Sequence, residues 1–107
     1  KELLSRSLLP DCILYPDDTA LLGGLNVIHE YGLKVPQDIS IAGYDGLRVS
    51  RYVAPKLTTV HQDTDRIGKE AATQLIYEIE HVESDTPKHL LINASLVIGN
   101  SVSSPQK

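Results

Sequence analysis

Methionine, phenylalanine and tryptophan are missing from this 107-residue chain, and cysteine occurs once. A single thiol, Cys12, excludes an intrachain disulfide and is compatible with a reducing compartment. Cys12 lies in an apolar run, where a free thiol is expected to pack in a core. No apolar stretch approaches the roughly 18 residues that a membrane-spanning helix needs, so no membrane partner is expected. Basic residues are also few. There are 10 Lys plus Arg against 14 Asp plus Glu, for a net charge of -4, and the basic residues are spread along the chain. That balance argues against a nucleic-acid face within these residues. The chain opens Lys1-Glu2-Leu3-Leu4, without the apolar core of a signal peptide. With no methionine to start it, the sequence reads as a piece of a longer or processed protein, and a cytoplasmic location is expected.

What is present is the alternation of an α/β domain, short enough for one core. Leu3, Leu4, Leu8 and Leu9 have helical spacing and predict the tail of a helix over residues 1–9, closed by Pro10. A strand follows from Cys12 to Tyr15 and stops at Pro16. Asp17 or Asp18 can then cap a helix whose apolar stripe is Leu21, Leu25 and Ile28 and whose end is marked by Gly32. Ile39, Ile41, Ala42 and Gly43 predict a buried strand with no polar alternation. Strand, helix, strand in that order implies a right-handed βαβ unit with a parallel pair. Val49, Tyr52 and Val53 suggest a short helical turn, and Leu57 to Val60 a β-prone segment. A second helix is predicted over residues 64–82, with Ile67, Ala71, Leu75, Ile79 and Val82 along one stripe and Asp63 or Thr64 as cap. A loop around Pro87, a strand over residues 89–98 and a mobile Ser-rich tail over residues 99–107 complete the reading.

The chemistry centres on Gly43-Tyr44-Asp45-Gly46, where the apolar strand stops. In open α/β sheets ligands bind at the carboxyl ends of the strands, because the departing loops splay apart there. Asp45 is therefore a candidate ligand-binding residue, although two glycines bracketing Tyr-Asp also describe a plain turn. Asp17, Asp18 and Asp45 together could serve a magnesium-dependent phosphotransferase or hydrolase, but no lysine or nucleophile accompanies them and Asp18 is a natural helix cap. His29, His61, His81 and His89 lack paired ligand spacing and read as surface or loop residues. Gly23-Gly24 falls inside the first helix, which suits close packing and not a phosphate loop. Asn93-Ala94-Ser95 matches a glycosylation acceptor but lies inside a predicted strand. Five tyrosines supply all the aromatic rings, and Tyr15 and Tyr44 stand close to the two acidic strand ends. Rings beside hydrogen-bonding carboxylates suit a sugar or other polyol, while Tyr15 equally suits a core. No catalytic residue, metal ligand or cofactor is assigned.

Three blocks at consistent spacing, ILYPDDTALLGGLNVIHEYGLKVPQDISIAGYDG, RYVAPKLTTVHQDTDRIGKEAATQLI and LLINASLVIGNS, resemble the C-terminal part of the lactose-repressor/galactose-repressor (LacI/GalR) family of bacterial transcription regulators. The resemblance implies an α/β fold, a fragment of a periplasmic-binding-protein-like (type I) parallel-sheet domain, and no enzymatic activity. It implies a dimeric regulator that binds a small-molecule effector, commonly a sugar, and operator DNA through a headpiece outside this chain. Asp45 takes the place of the family's effector-cleft aspartate. Asp17 stands where the family usually has asparagine, and that exchange removes two N–H donors and adds charge. Tyr44 and Gln62 complete the implied effector set. Leu21, Leu22, Leu25, Tyr52 and Val53 match the family's dimer face. Residues 1–61 would belong to the C-terminal lobe, 62–83 to a crossover and a helix of the N-terminal lobe, 84–98 to a return strand and 99–107 to a flexible tail. A periplasmic sugar-binding protein of a transporter, which shares the fold, is the alternative.

Overall fold

The first strand of the computed structural model, β1 (Cys12–Leu14), starts two residues after Pro10 and lies at the edge of a four-stranded sheet. The structure describes residues 1–5, 8–82 and 88–104. After β1 come α1 (Asp18–Glu30), β2 (Ser40–Asp45), β3 (Thr58–His61), α2 (Thr64–Glu80) and β4 (Ser95–Val97). The sheet order is β1-β2-β3-β4, with β1 and β3 parallel to β2 and β4 antiparallel to β3. The chain divides into two compact units, Lys1–His61 with Ser95–Lys107, and Gln62–Ala94.

In the first unit the predicted βαβ order is present. The α1 stripe of Leu21, Leu25 and Ile28 joins Val35, Ile39, Ile41 and Leu57 in one buried cluster. Gly32, at φ 72°, ends α1 by placing the N–H groups of Gly32 and Leu33 on the carbonyls of His29 and Ile28. β2 pairs with β1 along one edge and β3 along the other, and its Ile41 lies in the same buried cluster as the α1 stripe. The edge strand β1 differs. Ile13 packs against the core while Cys12 and Leu14, on the opposite face, are exposed. The expected burial of Cys12 is thus corrected: in a strand alternate side chains face opposite ways, and the core lies on the Ile13 side. At the amino end Glu2–Ser5 forms a single 3₁₀ turn and residues 8 and 9 are not helical, while residues 6 and 7 of the predicted helix tail lie outside the described residues. A second 3₁₀ turn, Arg48–Arg51, follows β2.

The Ser-rich stretch after β4 is anchored, contrary to the mobile tail expected for it. Ser101 is fully buried, its hydroxyl donates to the Ile41 carbonyl at 2.7 Å and accepts the Thr58 N–H at 2.8 Å, and its own carbonyl accepts the Ile41 N–H. A hydroxyl donates and accepts at once, so it links the amino ends of β2 and β3 beside their first register pair, Ala42 with Thr58. Residues 105–107 of the predicted tail, and residues 83–87 of the predicted loop, lie outside the described residues. Ser101→Ala removes one donor and one acceptor from a dry position. It is expected to cost about 1–3 kcal/mol of unfolding free energy, measurable by urea denaturation of the purified protein.

In the second unit α2 is capped by Asp63, whose carboxylate accepts the Arg66 N–H at 3.0 Å. None of its residues is buried, and the stripe of Ile67, Ala71, Leu75 and Ile79 is exposed. Residues 88–94 form no strand, so the strand predicted from residue 89 is restricted to β4. A ladder needs a neighbour, and among the described residues only 95–97 find one, in β3.

Candidate functional site

The carboxyl ends of the three parallel strands gather the polar side chains of the first unit. β1 leads through Tyr15 and Pro16 to Asp17, the N-cap of α1, whose carboxylate accepts the Ala20 N–H at 2.6 Å. One oxygen is thereby engaged in capping and the other is the one it can offer. Burial pushes the Tyr15 hydroxyl above the usual tyrosine range. Its ring covers Gly24, where any Cβ would collide with the ring and hydroxyl. Tyr15 therefore packs α1 onto β1, and Gly24 is glycine to admit it.

β2 ends at Tyr44, which is exposed, and at Asp45, which is half-buried and pairs in register with His61 at the end of β3. Asp45 has φ 100°, a conformation that side chains with a Cβ rarely adopt. Gly46 follows at φ 70°. Beneath this turn lies Asp18, fully buried. Its Oδ2 accepts the Leu47 N–H at 2.8 Å and its Oδ1 accepts the Thr59 hydroxyl at 2.6 Å. Thr59 Oγ1 in turn accepts the Gly46 N–H at 3.3 Å. A Cβ on Gly43 would run into Asp18 Oδ1, so that glycine clears the space the carboxylate occupies. Asp18 also sits in the first turn of α1, whose partial positive charge favours a carboxylate. This arrangement corrects one expectation, that Asp18 is the natural cap of the helix. The cap of α1 is Asp17, and Asp18 is turned inward to two protein donors, which removes it from the acidic cluster that a magnesium site would need.

His61 is half-buried at the strand end, unlike the surface or loop residue expected. Its Nδ1 is buried without a hydrogen-bond partner, and a Cβ on Gly46 would lie 2.6 Å from that atom. Gln62 follows it directly and opens the second unit, half-buried. The strand ends thus bring together Asp17, Tyr44 and Asp45 of the expected set. Thr59 and His61 are additions that sequence reasoning missed, and Asp18, weighed there as a cap or a metal carboxylate, is instead the buried acceptor beneath the turn. Only the β-prone run at residues 57–60 hinted that Thr59 would lie beside Gly43, its partner in register.

The residues expected to face a partner chain divide in two. Leu21 is 0% and Leu25 6% exposed, both inside the core, so neither presents a surface. The helix has one apolar stripe, and the sheet takes it. Leu22 and Val53 are half-buried, and Tyr52 is 84% exposed.

A mainly parallel sheet with a helix on one face, and acidic and aromatic side chains at the carboxyl ends of its parallel strands, defines an α/β domain of the class that binds ligands at its strand ends. The periplasmic binding protein-like domain family matches residues 1–102. The HTH-type transcriptional repressor PurR of Pasteurella multocida is 39% identical over 103 residues, which is 96% of this chain and 30% of that protein. A LacI family transcriptional regulator from Enterococcus faecalis with bound ribose superposes with a TM-score of 0.87 at 30% identity, over 95% of this chain and 37% of that one. The lac repressor dimer bound to operator and the anti-inducer ONPF gives 0.84 at 30% identity, over 96% and 35%. The chain belongs to the periplasmic binding protein-like domain family, in its LacI/GalR branch, and is a fragment of the effector-binding domain. It spans about a third of the length of the curated relative it matches.

Proposed function

We propose that these residues form part of the effector-sensing and dimerisation domain of a bacterial transcription regulator, a repressor that acts in the cytoplasm. The observation that carries this reading is Asp45, held at φ 100° at the carboxyl end of β2, beside Tyr44 and next to the β1 end that delivers Asp17. Carboxylates accept hydrogen bonds from hydroxyls and a ring face packs on the apolar face of a sugar, which makes a sugar the favoured effector. The ribose bound by the Enterococcus faecalis regulator supports that class. Gln62 joins this set as the first residue after β3. Leu22, Tyr52 and Val53 are the residues we assign to the partner face, and residues 62–83 to the crossover and a helix of the other lobe. A ligand that binds one lobe arrangement better than another shifts the regulator between DNA-binding states. No step in this scheme is enzymatic.

The test is a ribose titration of the complete regulator, read by calorimetry and by release or recruitment of operator DNA. Ribose and other pentoses or hexoses that bind without altering operator affinity would favour the transport-protein alternative instead. The 107-residue chain alone, with its net charge of -4, is expected to give no sequence-selective shift in a gel assay at physiological salt. A selective, salt-sensitive shift with the purified chain would overturn the assignment of DNA contact to a separate headpiece.

A further inference from the structure

The geometry points to Asp18 as the positioning residue of this site, the group that holds Asp45 in its left-handed conformation. The inference rests on the reading of Asp45 as the effector carboxylate. A residue with a Cβ reaches φ 100° only when the peptide planes on both sides of its Cα are fixed by something else. On the amino side the fixing agent is the sheet, through the register pairs Tyr44 with Val60 and Asp45 with His61. On the carboxyl side no strand continues. There the Gly46 N–H is held by Thr59 Oγ1 and the Leu47 N–H by Asp18 Oδ2, and Thr59 itself donates to Asp18 Oδ1. Both restraints therefore end on one buried carboxylate.

The two glycines around Tyr44 and Asp45 fit the same scheme. Gly43 leaves room for Asp18 Oδ1, and Gly46 makes the reversal at φ 70° with its Cα close against His61. Hydrogen bonds to a charged acceptor out of water are strong and short, which suits them to holding a disfavoured backbone angle. Asp18 touches no ligand in this scheme. It acts through Asp45, and Thr59 relays half of its hold.

Three variants of the complete regulator test the assignment. Thr59→Val removes the hydroxyl at equal volume, Thr59→Ser restores it, and Asp18→Asn exchanges one acceptor for a donor. Hydrogen exchange read by mass spectrometry should accelerate at least tenfold at the amides of residues 46 and 47 in Thr59→Val and Asp18→Asn, with protection in α1 unchanged. Thr59→Ser should return it to the parental rate. Ribose affinity should fall and recover in the same order, whereas Asp45→Asn, which tolerates positive φ, should lower affinity without accelerating exchange at residues 46 and 47. Unchanged exchange there, or equal acceleration throughout α1, would overturn the positioning role. So would locally accelerated exchange with ribose affinity intact. A parent protein that binds no ribose would count against the sugar reading alone, while the exchange rates would still decide how Asp45 is held.

Discussion

Asp45→Ala is expected to lower the affinity of the complete regulator for a hydroxylated effector by one to two orders of magnitude. A hydrogen bond to a charged acceptor contributes about 1.5–3 kcal/mol, and each 1.4 kcal/mol is roughly a factor of ten. Asp45 lies where β2 ends and is only half-buried, so its side chain is placed to reach a ligand without forming the core. A second variant separates charge from backbone. Asparagine tolerates positive φ better than alanine does, so Asp45→Asn should keep the turn and lose the charge-assisted part of the affinity. Operator binding without effector should persist in both. Superimposable ribose isotherms for the parent and both variants would remove Asp45 from the site.

Leu21→Ala should destabilise the first unit by about 2–5 kcal/mol, the cost of a truncated leucine in a packed core. Leu21 is 0% exposed, and a Cβ on Gly43 would come within 2.9 Å of its Cδ1, so the side chain rests directly on β2. Against a typical domain stability of about 5–15 kcal/mol that loss is large. Urea denaturation at two well-separated protein concentrations distinguishes the core role from a place on the partner face. A core residue lowers the midpoint equally at both. A contact residue would leave the dilute sample untouched and change only the concentration dependence. Tyr52→Ala, at an exposed position, should behave in the second way.

What could be read directly from the sequence was local. The helix α1 follows from the spacing of Leu21, Leu25 and Ile28, its end from Gly32, and the parallel arrangement from strand-helix-strand order. Asp45 at a strand end follows from where the apolar run of β2 stops. The features that escaped are those set by distant partners. Asp18 finds Leu47 across 29 positions and Thr59 across 41, and Ser101 finds Ile41 across 60. A buried aspartate and a capping aspartate are adjacent here, and nothing in Pro16-Asp17-Asp18 distinguishes them. The Ser-rich end looked mobile because serine is common in tails, and a hydroxyl that joins two strands has the same composition. Cys12 looked buried because the strand containing it is apolar, but only the far-side packing decides which of two alternating faces is covered.

The first unit is discontinuous in sequence, with its fourth strand and Ser101 arriving only after the chain has passed through Gln62–Ala94. Three strands and α1 can assemble from the first segment, but the junction between β2 and β3 is sealed by a residue made much later. Closing so long a loop costs conformational entropy before any contact compensates for it, and a high share of distant contacts slows folding. During synthesis, the sheet would therefore remain unsealed beside β3 until β4 emerges, with Ile41 and Thr58 still exchanging hydrogen bonds with water. Ser101 cannot close the β2–β3 junction before it has been synthesised, so truncation before Ser95 is expected to leave the Ile41 carbonyl and the Thr58 N–H without their hydroxyl partner.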